Sequence, residues 1–92
     1  MRRIRWAPAA ADDLQGIADY LREHHPSFAQ PTIRKLYKVA RSLKQFPNRG
    51  RAGLKEGTRE LVIVPLPYII VYGVESNTVH IFRVIHTSED RP

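Results

Sequence analysis

The last apolar run of the chain, in IFRVIHTSED (Ile81 to Asp90), carries Arg83 inside it and ends on His86. An unperturbed imidazole titrates near neutral pH, so His86 is a candidate general acid or base. Arg83 lies three residues away, and adjacent strands could bring Arg59 beside it, giving two cations able to stabilise developing negative charge. Arg51 and Lys55 could hold phosphates. The same residues also have readings that need no chemistry. Strand alternation puts His80, Phe82, Val84 and His86 on one face and Ile81, Arg83 and Ile85 on the other. Arg83 and His86 then share a face only if a bulge or the strand's end turns one of them. A strand-end histidine hydrogen-bonded to nearby backbone, with Arg83 paired to Glu60 or another carboxylate, fits the sequence equally well.

Charge directs attention to the middle of the chain. Fifteen Lys and Arg stand against nine Asp and Glu, a net of +6. Residues 24–59 hold nine of those cations and one acid, Glu56, while residues 1–23 are neutral and residues 60–92 sum to −2. A segment this biased attracts polyanions, whether nucleic acid, ribosome or an acidic protein, although a merely cationic surface has the same composition. There is no cysteine, hence no disulfide framework and no thiolate metal site. His24, His25, His80 and His86 have no metal-binding spacing, so neither a metal nor a cofactor is expected. No apolar run reaches the length of a membrane span. The basic start MRRIRWAPAA lacks the apolar stretch of a signal peptide. A cytoplasmic protein with no membrane contact is the expectation.

These residues need a scaffold, and the length allows one domain over residues 1–92 with a single core. Ile4 and Trp6 alternate with Arg3 and Arg5, which suggests a short first strand with Trp6 packed at its end. Pro8 suits the first turn of a helix. Ala10, Leu14, Ile17 and Leu21 repeat at helical spacing, so a helix is expected from near Pro8 to near His24, with Asp12 and Asp13 favourably close to its N-terminus. HHPSFAQP breaks it. A second helix carries Ile33, Leu36, Tyr37, Ala40 and Leu43 on one stripe, while Arg34, Lys38 and Arg41 cover its outer side. That basic stripe is either a solvated face or a surface for nucleic acid or a protein target. QFPNRGRAG reads as a loop. Strands follow at Arg59–Val64, Tyr68–Val74 and Val79–Ile85, with Pro65 and Pro67 forcing a turn and Glu75 to Thr78 forming a hairpin connection. The expected fold is α+β, β-α-α-β-β-β, with the helical hairpin packed on one face of a small antiparallel sheet.

Several short motifs fall in a familiar order. Trp6 is followed by Ala10, Asp13-Leu14, Ile17 and Tyr20; Phe46-Pro47 precedes Gly50-Arg51 and Gly53. GTREL (Gly57 to Leu61), LPYIIVY (Leu66 to Tyr72) and RVIH (Arg83 to His86) complete the set. Over nearly its whole length the chain resembles the RelE/ParE superfamily of bacterial type II toxin–antitoxin toxins.

The resemblance implies a growth-inhibiting toxin neutralised by a cognate antitoxin from an adjacent gene. Operator DNA would be reached only indirectly, through that antitoxin. ParE-like members poison DNA gyrase without chemistry of their own, whereas RelE-like members cut messenger RNA on the ribosome without a metal. In the nuclease reading His86, Arg83 and Arg59 are the catalytic candidates. RelE-like nucleases usually carry an arginine just after the aromatic residue of the strand matching PYIIVY. That position is Ile69 here, and TSEDRP has no counterpart of the C-terminal tyrosine that some nucleases use. These departures lean towards gyrase. The nuclease is the alternative, and a weakly toxic member that mainly binds its antitoxin is the second alternative.

Overall fold

In the computed structural model residues 2–89 are described; Asp90 and Arg91, counted above in the charge of the tail, lie outside them. The elements in chain order are β1 (Arg3–Trp6), α1 (Pro8–His24), α2 (Pro26–Ser42), β2 (Arg51–Ala52), β3 (Arg59–Val62), β4 (Tyr68–Glu75) and β5 (Thr78–His86). The strands form one sheet in the order β1-β5-β4-β3-β2. The α+β class and the helical hairpin on a sheet agree with expectation. The sheet differs in that β1 runs parallel to β5, making it mixed, the supposed loop contains the two-residue β2, and β3 ends at Val62 and not Val64.

The helices stop and start where proline dictates. Pro8 occupies the first turn of α1, and Pro26 that of α2. A residue before proline is pushed out of the α region, so His25 (φ −146°, ψ 65°) is the whole break between the helices. Its N–H still closes α1 by bonding to the Leu21 carbonyl. The break is therefore shorter than HHPSFAQP suggested, and Pro31 lies inside α2.

The helical stripes meet the sheet. Ala10 and Leu14 of α1 join Leu36, Ala40 and Leu43 against Tyr68, Ile70 and Tyr72 of β4 and Val79, Ile81 and Val84 of β5. Ile4 and Trp6 pack against this cluster, and Trp6 meets Tyr37 edge-on at 5.3 Å between ring centroids.

The Tyr72 hydroxyl does further work in the core. It accepts the Gly50 N–H at 2.8 Å and donates to the Pro47 carbonyl at 2.7 Å, which ties the loop after α2 to the middle of the sheet. Gly50 is required for that approach, because a Cβ there would lie 2.8 Å from the Tyr72 ring and 2.9 Å from the Glu60 carbonyl.

Candidate functional site

A bulge in β5 decides where the candidate residues point. Val71 pairs with Arg83 but Tyr72 pairs with Ile81, leaving Phe82 as the extra residue. One strand then cannot keep one alternation. Val79 and Ile81 face the helices, and after the bulge Val84 does so too. The single face expected for His80, Phe82, Val84 and His86 is thus split: His80 stacks on Phe82, whereas Val84 and His86 line a different surface.

His86 lies at the edge of an open groove between α1 and the end of the sheet. Ile17, Tyr20 and Leu21 form one wall, Tyr68 and Val84 the other, with Asp12, Asp13 and Glu89 among the polar lining. The imidazole meets Tyr68 edge-on, with centroids 5.6 Å apart. Burial raises the pKa of the Tyr68 hydroxyl, and Tyr20 adds to the shift. Nδ1 of His86 accepts the backbone N–H of Ser88 at 3.0 Å, with the Ser88 hydroxyl 2.7 Å away. This Nδ1 lone pair is already engaged, and in the neutral ring the proton sits on Nε2. The ring is therefore badly placed to take a proton from a substrate, and its Nε2–H can donate a hydrogen bond but not a proton while the ring is neutral.

Arg83 is held elsewhere. Its Nε and Nη2 donate to the two carboxylate oxygens of Asp13 at 2.7 and 2.9 Å, and the Val84 N–H donates to the same carboxylate at 2.9 Å. Asp13 lies in the second turn of α1, and its carboxylate reaches across to β5 instead of serving the helix N-terminus. The bidentate bond and charge of Asp13 raise the pKa of Arg83 still further. Arg83 also borders the open-face groove with Leu54, Lys55, Thr58, Glu60, Val71 and Phe82. Asp13→Asn retains an acceptor for Val84 but loses the charge pairing. Because Arg83 is 48% exposed, the expected loss is about 1 kcal/mol, larger at low salt. Equal denaturation midpoints for variant and parent at both salt concentrations would mean that the pair contributes nothing.

Arg59 does not approach His86. It opposes Tyr72 on one side of β4, while His86 opposes Tyr68 on the other, an offset of four residues or about 13 Å along the strand. The Arg59 guanidinium instead donates to the Gly50 carbonyl at 2.7 Å. Arg51 pairs with the buried Glu60 at 3.2 Å across β2 and β3. The structure therefore brings Lys55 and Arg83 to one groove, His86 to another and Arg59 to neither. Arg34, Lys38 and Arg41 are exposed along α2. Ile69 is buried opposite Ile85. Among the described residues no group of His, Asp and Glu could hold a metal ion, and no helix is long and apolar enough to cross a membrane.

Sequence reasoning missed Asp13, whose partners lie 70 and 71 positions away. It also missed Ser88, two residues after His86, where a local side-chain hydrogen bond was legible in principle.

Comparison with known proteins agrees with this fold. Residues 4–91 match the family described as ParE toxin of type II toxin-antitoxin system, parDE. Toxin RelE2 of Caulobacter vibrioides is 40% identical over 88 residues, covering 96% of this chain and 98% of that protein. The putative toxin Y4kP of Sinorhizobium fredii is 34% identical over 91 residues, covering 99% and 94%. Among solved structures, a chain of the chromosomal ParDE system from P. aeruginosa superposes with a TM-score of 0.86 at 25% identity, covering 94% of this chain and 96% of that one. A conserved hypothetical protein from Helicobacter pylori, at 22% identity, 97% and 98% coverage and a TM-score of 0.62, shares the fold. With the family pattern matched from β1 through the last strand, the chain belongs to the ParE toxin family of type II toxin–antitoxin systems, within the RelE/ParE superfamily.

Proposed function

We propose that this toxin inhibits growth by acting on DNA gyrase, without bond-breaking chemistry of its own, and that an antitoxin encoded beside it neutralises it. The observation that carries this reading is the dispersal of the groups that metal-free RNA cleavage requires. Such cleavage needs a base near the ribose 2′-OH, cations on the phosphate and an acid for the leaving oxygen, all around one phosphate. Arg59 is spent on the Gly50 carbonyl, Arg83 on Asp13 and the His86 Nδ1 on Ser88. His86 is then a structural residue at a strand end.

A ribosome-dependent messenger RNA endonuclease is the second reading. It is favoured by the 40% identical relative named Toxin RelE2 and by the His86 Nε2–H, which could donate a hydrogen bond to a phosphate oxygen. In that reading Arg83, Arg59, Arg51 and Lys55 would contact phosphate.

The test is to induce the gene alone and follow labelled thymidine and labelled amino acid within minutes, for the parent and for His86→Ala. Under the gyrase reading DNA synthesis falls first, purified gyrase is inhibited, and His86→Ala remains as toxic as the parent. Early collapse of translation, with toxicity lost in a folded His86→Ala, would overturn it in favour of the nuclease.

A further inference from the structure

The outer face of α2 carries cations that no ion pair among the described residues neutralises. At about 100° per residue Arg34, Lys38 and Arg41 fall within a wedge of about 60°, and Lys35 flanks them. All four are exposed. Arg49 extends the stripe past the end of the helix: its Nη1 donates to Ser42 Oγ at 2.6 Å, and that hydroxyl donates to the Val39 carbonyl. A loop cation is thus pinned beside the helical ones.

No acidic residue occurs between Glu23 and Glu56. Among the described residues the ion pairs use Arg22, Arg51, His80 and Arg83 and none of these five cations. Five uncompensated charges on one face repel one another, and a polyanion relieves that repulsion.

The chemistry of the face selects the kind of polyanion. Protein interfaces have an apolar core, whereas Arg34, Lys35, Lys38 and Arg41 are bordered along the stripe by a single half-exposed aromatic, Tyr37. Single strands are gripped by successive bases stacking on a row of aromatic rings, and one ring set edge-on to Trp6 does not make such a row. A duplex phosphate backbone needs only closely spaced cations, since it offers a charge about every 1.7 Å of axis. DNA is favoured over duplex RNA because a convex helix surface fits along a wide B-form groove and not into the narrow A-form one.

We propose that the α2 face formed by Arg34, Lys35, Lys38, Arg41 and Arg49 binds the phosphate backbone of duplex DNA without sequence preference. This binding is a property of the toxin itself and does not depend on the gyrase reading; it would hold DNA beside whichever target the toxin engages.

The test is fluorescence anisotropy of a labelled random-sequence DNA duplex with the full chain, freed of antitoxin, over a salt series starting at about 50 mM. Four to five phosphate contacts give a slope of log K against log salt near −4. The exposed triple variant Arg34→Gln/Lys38→Gln/Arg41→Gln should reduce that slope by about 3 units while its thermal midpoint does not fall. Arg5→Gln, exposed on β1 and away from α2, should leave the slope as it was. The proposal is overturned by no binding at the lowest salt, by binding that the triple variant retains, or by equal competition from duplex RNA or from polyglutamate. Gyrase inhibition assayed on the same triple variant keeps the two readings separate, because loss of DNA affinity with inhibition retained removes neither.

Discussion

Leu36→Ala is expected to remove about 2–5 kcal/mol of stability, a large share of what a domain of this size possesses. Leu36 is completely buried, in the middle of α2, within the cluster that joins both helices to β4 and β5. Truncation loses the transfer free energy of the removed carbons and leaves a cavity between a helix and a sheet that cannot close without moving a whole element. Even the lower figure corresponds to a fall in Tm of roughly 8–16 °C for a domain of this length. Thermal and denaturant unfolding of the purified variant check the expectation. A fall of less than about 1 kcal/mol would mean that α2 can settle onto the sheet, and that the core is less tightly determined than its burial implies.

Tyr72→Phe is the second large effect, and it comes from a single oxygen. The ring stays in the core, so apolar packing is nearly unchanged. The buried Gly50 N–H loses its acceptor and the Pro47 carbonyl its donor. Leaving such groups unpaired costs about 1–3 kcal/mol. The loop from Phe46 to Gly53 should also loosen, which a local readout distinguishes from global destabilisation. Amide exchange at Gly50 should rise far more than exchange at Ile70 in the same variant. If the two rise together, or if stability is unaltered, the hydroxyl is not what fastens the loop. Arg59 also bonds to Gly50, through its carbonyl, so the anchoring of this loop and the position of Arg59 are coupled.

Much of the architecture was legible because it is written locally. Pro8 marks a helix start, the spacing of Ala10, Leu14 and Leu21 marks one buried stripe, and the alternation of Ile4 with Trp6 marks a half-buried strand. The remainder depends on residues far apart in the chain. The parallel placement of β1 against β5 follows from the whole path of the chain, and so does the two-residue β2 opposite Arg59 and Glu60. The bulge at Phe82 exists only in relation to β4, so alternation along β5 alone gave His86 the wrong companions. The pairing of Arg83 with a carboxylate was foreseeable; that Asp13 would supply it was not, because helix position alone suggested a role at the N-terminus of α1.

Asp13 has a further effect. β1 opposes β5 only as far as Ile81, so beyond that point the outer side of β5 has no strand beside it among the described residues. A bare strand edge is a template on which another polypeptide can grow by hydrogen bonding, which is how intermolecular sheets and aggregates begin. At Val84 that edge is already occupied by a carboxylate borrowed from α1, itself held in a two-pronged bond by Arg83. An arriving strand would have to evict a charged pair before forming its first bond there. The sheet is sealed at this point by one side chain, which disfavours edge-to-edge pairing with a second copy of the chain.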